Sequence, residues 1–111
     1  MTDSQEIFRH MEFPFSDERF PEALGAVVQL TVLDGLEPAR EVVHAEDGSW
    51  LVGDGVNDPN VAGASTVTHI WHAIGRNSSI AELATMPPGT MARRDGPGAE
   101  WRTEPLAWRE D

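Results

Sequence analysis

His69 and His72 stand three residues apart, close enough on a helix to share one metal ion. A third ligand would have to come from His44 or a loop carboxylate, and no glutamate lies between the two histidines. Histidine in a short helix more often packs or hydrogen-bonds than ligates, so the pair predicts no tight divalent site. Asp54, Asn57, Asp58 and Asn60 form an oxygen-rich run that suggests calcium. The register fails. Val56 fills the second ligand position, and Ser65 stands at the twelfth, where a bidentate glutamate is needed. An acidic turn ahead of the next element is the better reading.

Hydrolytic chemistry finds no Gly-x-Ser-x-Gly elbow. His44 can pair with Ser49 or Asp47 across a hairpin, but nothing supplies an oxyanion site. Gly53, Gly55 and Gly63 lie among acids that repel phosphate, and no basic residue follows them as a phosphate loop requires. Glu46 and Asp47 are neighbours at a turn, where adjacent side chains point apart into solvent. Trp50, Trp71 and Trp101 can line a groove between helix and sheet, although core packing is the default for aromatics at these spacings. Trp108, beside Arg109, Glu110 and Asp111, belongs to a loosely packed terminus. No motif calls for a cofactor.

The elements that must position these residues follow from pattern. Residues 26–33 alternate with period two and are rich in β-branched side chains, which predicts a strand. Asp34-Gly35 marks a turn, and Pro38 limits where the next strand, residues 39–45, can begin. Asp47-Gly48 makes a tight hairpin into residues 49–52, giving a three-stranded antiparallel meander with Trp50 and Val52 on one face. Residues 53–65 hold three glycines and a proline and predict a loop. Ser65 or Thr66 caps a helix whose stripe is Val67, Ile70, Trp71 and Ile74, ended by Gly75. Ser79 to Glu82 reads as a capping box opening a second short helix that buries Ile80 and Leu83. Residues 90–94 predict a fourth strand, and Trp101 sits on a short fifth. No internal repeat is evident.

Residues 1–22 are different in character. All four phenylalanines lie there, at 8, 13, 15 and 20. Asp3 or Ser4 caps a short helix with Ile7, Phe8 and Met11 on its apolar face, and Pro14 and Pro21 then force extended or turn backbone. So much aromatic surface favours an arm folded across its own core over one docked on a partner.

A chain of 111 residues is one domain and long enough to bury a core. It has no cysteine, which excludes disulfides and thiolate metal sites. The first twenty residues are too charged for a signal peptide, and no apolar run is long enough to span a bilayer. A soluble, cytoplasmic protein is expected. The basic residues are all arginine, and the net charge is −11. Residues 1–58 hold thirteen acids against three arginines, so −10 of that charge precedes residue 59. Such a surface repels nucleic acid and anionic membranes. Keeping the protein soluble is its commoner role, and attraction of a basic partner is the functional reading.

The order of elements also carries a resemblance. Asp47, Gly48 and Trp50 are followed by Gly53-Asp54, then Ser79, Ile80 and Leu83, then Pro88-Gly89, Ala92-Arg93 and a late Trp101. This pattern, over residues 25–102, resembles a group of small bacterial proteins of uncharacterised function related to the immunity-protein-like domains of polymorphic toxin systems. It departs from the group in having Asn77-Ser78 where Asp-Pro is common, and Val52 where an aromatic often follows the tryptophan. The resemblance implies the fold more than the function and carries over no catalytic residue. It is the separate charge split that would suit a basic partner, such as a basic nuclease toxin.

Together these readings predict an α+β fold, an antiparallel sheet of four or five strands with two short helices packed on one face. Residues 1–22 form the arm and 23–111 the single domain. The expected function is non-enzymatic: a protein-interaction module, immunity-like, binding a basic protein through Glu41, Glu46, Asp47, Asp54 and Asp58. The alternative is a small enzyme or ligand-binding domain with a pocket near His44, His69 and His72.

Overall fold

A computed structural model describes residues 11–58 and 60–106. Phe8, the helix expected from Asp3 or Ser4, and Trp108 lie outside these residues. The fold is α+β: one six-stranded sheet with short helical segments. The strands are β1 (Gly25–Gln29), β2 (Glu41–His44), β3 (Trp50–Gly53), β4 (Ser65–His69), β5 (Thr90–Arg93) and β6 (Arg102–Pro105). They lie in the order β4-β1-β3-β2-β5-β6. The helices are a single turn, α1 (Leu30–Leu33), and α2 (Ile70–Arg76), with 3-10 segments at Ser16–Glu18 and Ser78–Leu83.

The hairpin of β2 and β3 forms as the Asp47-Gly48 turn demands, with Val42 opposite Val52 and His44 opposite Trp50. Asp47 closes it by accepting from the Ser49 amide at 2.9 Å and the Ser49 hydroxyl at 2.7 Å. The meander is corrected. β1 does not pair with β2; it pairs parallel with β3, Val27 beside Leu51 and Val28 beside Val52. The cause is the connection. The strand expected over 26–33 stops at Gln29, and the chain coils into α1, closed by the Asp34 amide on the Leu30 carbonyl at 2.8 Å. That turn and the segment through Pro38 carry the chain one place along the sheet, so that β2 runs back and the hairpin returns β3 into the gap beside β1, parallel to it.

The second correction concerns residues 65–69. They form β4, antiparallel to β1 with Val67 opposite Val27, and the helix starts only at Ile70. Ile70 and Ile74 are buried as the helical stripe predicts, but Val67 is 42% exposed on the strand. The sheet therefore has six strands and is mixed, where four or five antiparallel ones were expected. α2 runs one residue past Gly75. The capping box at Ser79 is not made; the Ser79 hydroxyl accepts from Arg94 at 2.6 Å instead.

β1 into α1 and β4 into α2 are two copies of one device. Each strand passes straight into a helix, and each helix starts with an amide bonded across the pair: Leu30 to the Ala64 carbonyl at 2.8 Å, Ile70 to the Leu24 carbonyl at 2.9 Å. Sequence shows no repeat because the two copies share backbone geometry and few side chains.

One sheet face carries the core. Ala26, Val28, Val42, Trp50, Val52 and Ala92 pack with Val32, Ile70, Ile74, Ile80 and Leu83. Full burial of such aliphatic side chains stabilises by about 1.5–3 kcal/mol each. Phe15 and Phe20 from the arm join this core, Phe20 edge-on to Trp50 at 4.9 Å. His44 stacks on the other side of this cluster, 3.9 Å from Trp50, with Phe13 edge-on at 5.0 Å.

Candidate functional site

Where β1 and β3 end, the chain builds a densely hydrogen-bonded polar cluster around Asp54. This carboxylate is fully buried. It accepts from the Thr31 hydroxyl at 2.6 Å, the Val56 and Asn57 amides at 2.8 Å each, and the Asn57 side-chain amide at 2.7 Å. The Asp54 amide donates to the Gln29 side-chain carbonyl at 2.7 Å, and Gln29 in turn donates to the Asn57 carbonyl at 3.0 Å. Those hydrogen bonds outweigh the burial penalty and hold the carboxyl down at about 2. Asp54, expected among the partner-binding acids, is buried and turns its carboxylate inward onto the loop it organises.

The loop that Asp54 fixes carries large apolar side chains into solvent. Val56 is 62% exposed and Val61 58%. Leu36 (74%) and Leu30 (37%) join them at the same end of the sheet: the Leu36 amide bonds the Thr31 carbonyl beside Asp54, and the Leu30 amide bonds Ala64. Asp34 and Asp58 are exposed there, with Glu37 and Glu41 half-buried. The cations at this end are largely engaged. Arg40 meets Glu37 at 3.2 Å, Arg93 meets Glu41 at 3.5 Å, and the Arg76 guanidinium lies against Gly35.

The five acids expected to bind the partner are divided between the two ends of the sheet. Glu41, Asp54 and Asp58 belong to this loop end, whereas Glu46 and Asp47 sit on the β2–β3 turn at the opposite end. About 15 Å of strand, at about 3.3 Å per residue, separates the two groups.

The three histidines do not converge either. His44 is buried on β2, with two strands between it and β4. Its Nδ1 donates to the Met86 carbonyl at 2.7 Å, and burial lowers its pKa, which favours the neutral ring. His69 and His72 do lie together, ring centroids 5.7 Å apart, at one side of an open groove of about 1100 Å³. The arm forms the groove's other wall through Phe15, Arg19 and Phe20, and Trp71 closes it by donating to the Phe20 carbonyl at 2.8 Å. His72 Nδ1 is 2.8 Å from the Thr68 hydroxyl. Among the described residues no group of three potential ligands is placed to hold a metal. The lack of a clear third ligand beside His69 and His72 in the sequence predicts no tight divalent site, and calorimetric titration with zinc checks that expectation. Micromolar binding that vanishes in His72→Ala would contradict this.

Arg94 is the residue that sequence reasoning missed. It is 6% exposed, donates to the Ala39 carbonyl at 2.8 Å and to Ser79, and stacks 4.4 Å from the Trp101 ring. Period two held the signal: Ala92 and position 94 share a face, so the second arginine of the pair turns inward. No helix in the described residues is long and apolar enough to cross a membrane. Compared with family models, curated proteins and solved structures, the chain matches none.

Proposed function

We propose that this chain is a protein-interaction module, immunity-like in the sense the resemblance implies, which engages a basic protein through the loop end of its sheet. The observation that supports this reading is the exposure of Leu36, Val56 and Val61, each more than half in solvent, on one end of the fold. Single exposed apolar residues are ordinary, but several gathered on one ordered end mark a contact surface. Asp34, Asp58 and the buried Asp54 charge give that end a negative field, which favours a basic partner and steers its approach. Glu46 and Asp47 add to the chain's overall field from the far end and make no direct contact.

The test is capture of a partner from an extract of the cells that make the protein, comparing three immobilised forms. Wild type and Glu46→Gln/Asp47→Asn are expected to retain the same basic protein. Leu36→Ser/Val61→Ser is expected to lose it, because each buried aliphatic anchor is worth about 1.5–3 kcal/mol. Retention that survives the loop-end changes and fails with the hairpin changes would overturn the reading.

A second reading, a ligand-binding domain, is favoured by the groove beside α2, where Trp71, His69 and His72 face the arm. It differs from the expected pocket in excluding His44.

A further inference from the structure

The two edges of the sheet are built differently. On β6 the amides of 102, 104 and 106 turn inward, as the Met91–Glu104 register and the Leu106 amide on the Gly89 carbonyl at 2.9 Å require. Positions 103 and 105 face outward, and position 105 is proline, which has no amide to offer. Arg102 and Glu104 flank them. Charge and proline on an edge are the usual protection against strand addition.

β4 has none of this protection. Its sequence, Ser-Thr-Val-Thr-His, contains no acid, no arginine and no proline. The bonds from Leu30 to Ala64 and from Ile70 to Leu24 fix which groups face β1: those of 64, 66, 68 and 70. The backbone donors and acceptors of Ser65 and Val67 therefore face outward. Val67, at the centre, is 42% exposed.

The geometry points to β4 as the interface for a second copy of this chain, pairing antiparallel about Val67 to continue the sheet through a two-fold axis. Three features select a second copy as the occupant. First, the edge is self-complementary. With Val67 opposite Val67, Ser65 of each copy falls opposite position 69 of the other, and no like charges meet. Second, the strand is uncharged in a chain of net charge −11, so it is a place where two such chains can approach. Third, Val67 begins a cross-strand row on the face away from the core: Val67, Val27, Leu51, Val43 and Met91, linked neighbour to neighbour by the strand registers. Two-fold pairing joins the two rows end to end into one apolar band. The loop ends then point in opposite directions, so this interface and the proposed partner surface are independent.

Sedimentation velocity on the full chain over a concentration series tests the inference. The weight-average sedimentation coefficient is expected to rise from monomer to dimer. Added salt should strengthen the dimer by screening the repulsion of two acidic chains. Val67→Lys places a charge on each side of the axis and should weaken association by at least about tenfold, as edge lysines do. Thr103→Lys on the protected edge should leave it unchanged. Amide hydrogen exchange provides a readout without substitution: the Ser65 and Val67 amides should become more protected as concentration rises, and the Thr103 amide should not. A chain that stays monomeric throughout, or a dimer indifferent to Val67→Lys with no concentration-dependent protection at 65 and 67, would overturn the inference.

Discussion

Trp50→Ala is expected to lower the free energy of unfolding by about 3–5 kcal/mol, the cost of removing a large buried aromatic from a core that cannot collapse into the space. Trp50 is 1% exposed. Its ring is held on three sides, stacked on His44 at 3.9 Å, met edge-on by Phe20 at 4.9 Å and approached by Phe15 at 6.1 Å. The cavity would thus open where strand, hairpin and arm meet, and the arm would lose its main anchor. Urea melts of the two proteins measure the difference. A loss below about 1 kcal/mol would mean that the ring is not packed as described.

Asp54→Ala should cost about 3 kcal/mol, because it leaves two backbone amides, a hydroxyl and the Asn57 amide without their charged acceptor. The same carboxylate imposes a pH dependence whose sign is fixed. Folding holds its pKa at about 2 against an ordinary value of 3.8. Between those values the unfolded chain binds more protons than the folded one. The stabilisation is therefore complete above 3.8 and is lost as pH falls toward 2, amounting to about 2 kcal/mol. Stability measured on this acid limb should drop for wild type and stay flatter for Asp54→Asn. Equal slopes would show that the loop is not held by this charge.

Much of the local structure was legible, and the reason differs from element to element. The β2–β3 hairpin was readable because Asp47-Gly48 is a local instruction that needs no distant partner. Ile80 and Leu83 were readable as core because their environment is apolar whether the segment is α or 3-10. The strand signal runs past Gln29 because Leu30 to Leu33 have strand propensity; they coil because the Asp34 amide closes the turn on Leu30 and the Thr31 hydroxyl reaches Asp54. Residues 66–69 carry a helical signal because Val67, Ile70, Trp71 and Ile74 fit a helical stripe, and only the presence of β1 alongside makes 65–69 extended. The parallel pairing of β1 with β3 is a non-local fact that no spacing encodes.

The candidate site was legible in its chemistry and not in its placement. The acidic loop stood out by composition, but composition does not distinguish Asp54, turned inward onto four donors, from Asp58, left in solvent. Nor does it show that Glu46 and Asp47 are carried to the far end by the hairpin. The exposed apolar residues of the proposed surface, Leu36, Val56 and Val61, belong to segments that read only as turn and loop.

Association kinetics with the captured partner, followed by stopped flow across a salt series, test the proposed surface most directly. Opposed charges accelerate encounter and lose that advantage as salt screens them, while the apolar anchors set how long the complex lasts. The association rate of wild type should fall markedly from low to physiological salt. Leu36→Ser/Val61→Ser should leave that dependence intact and raise the dissociation rate by about tenfold to a hundredfold. An association rate indifferent to salt, together with dissociation unchanged in Leu36→Ser/Val61→Ser, would contradict the assignment of the loop end as the binding surface.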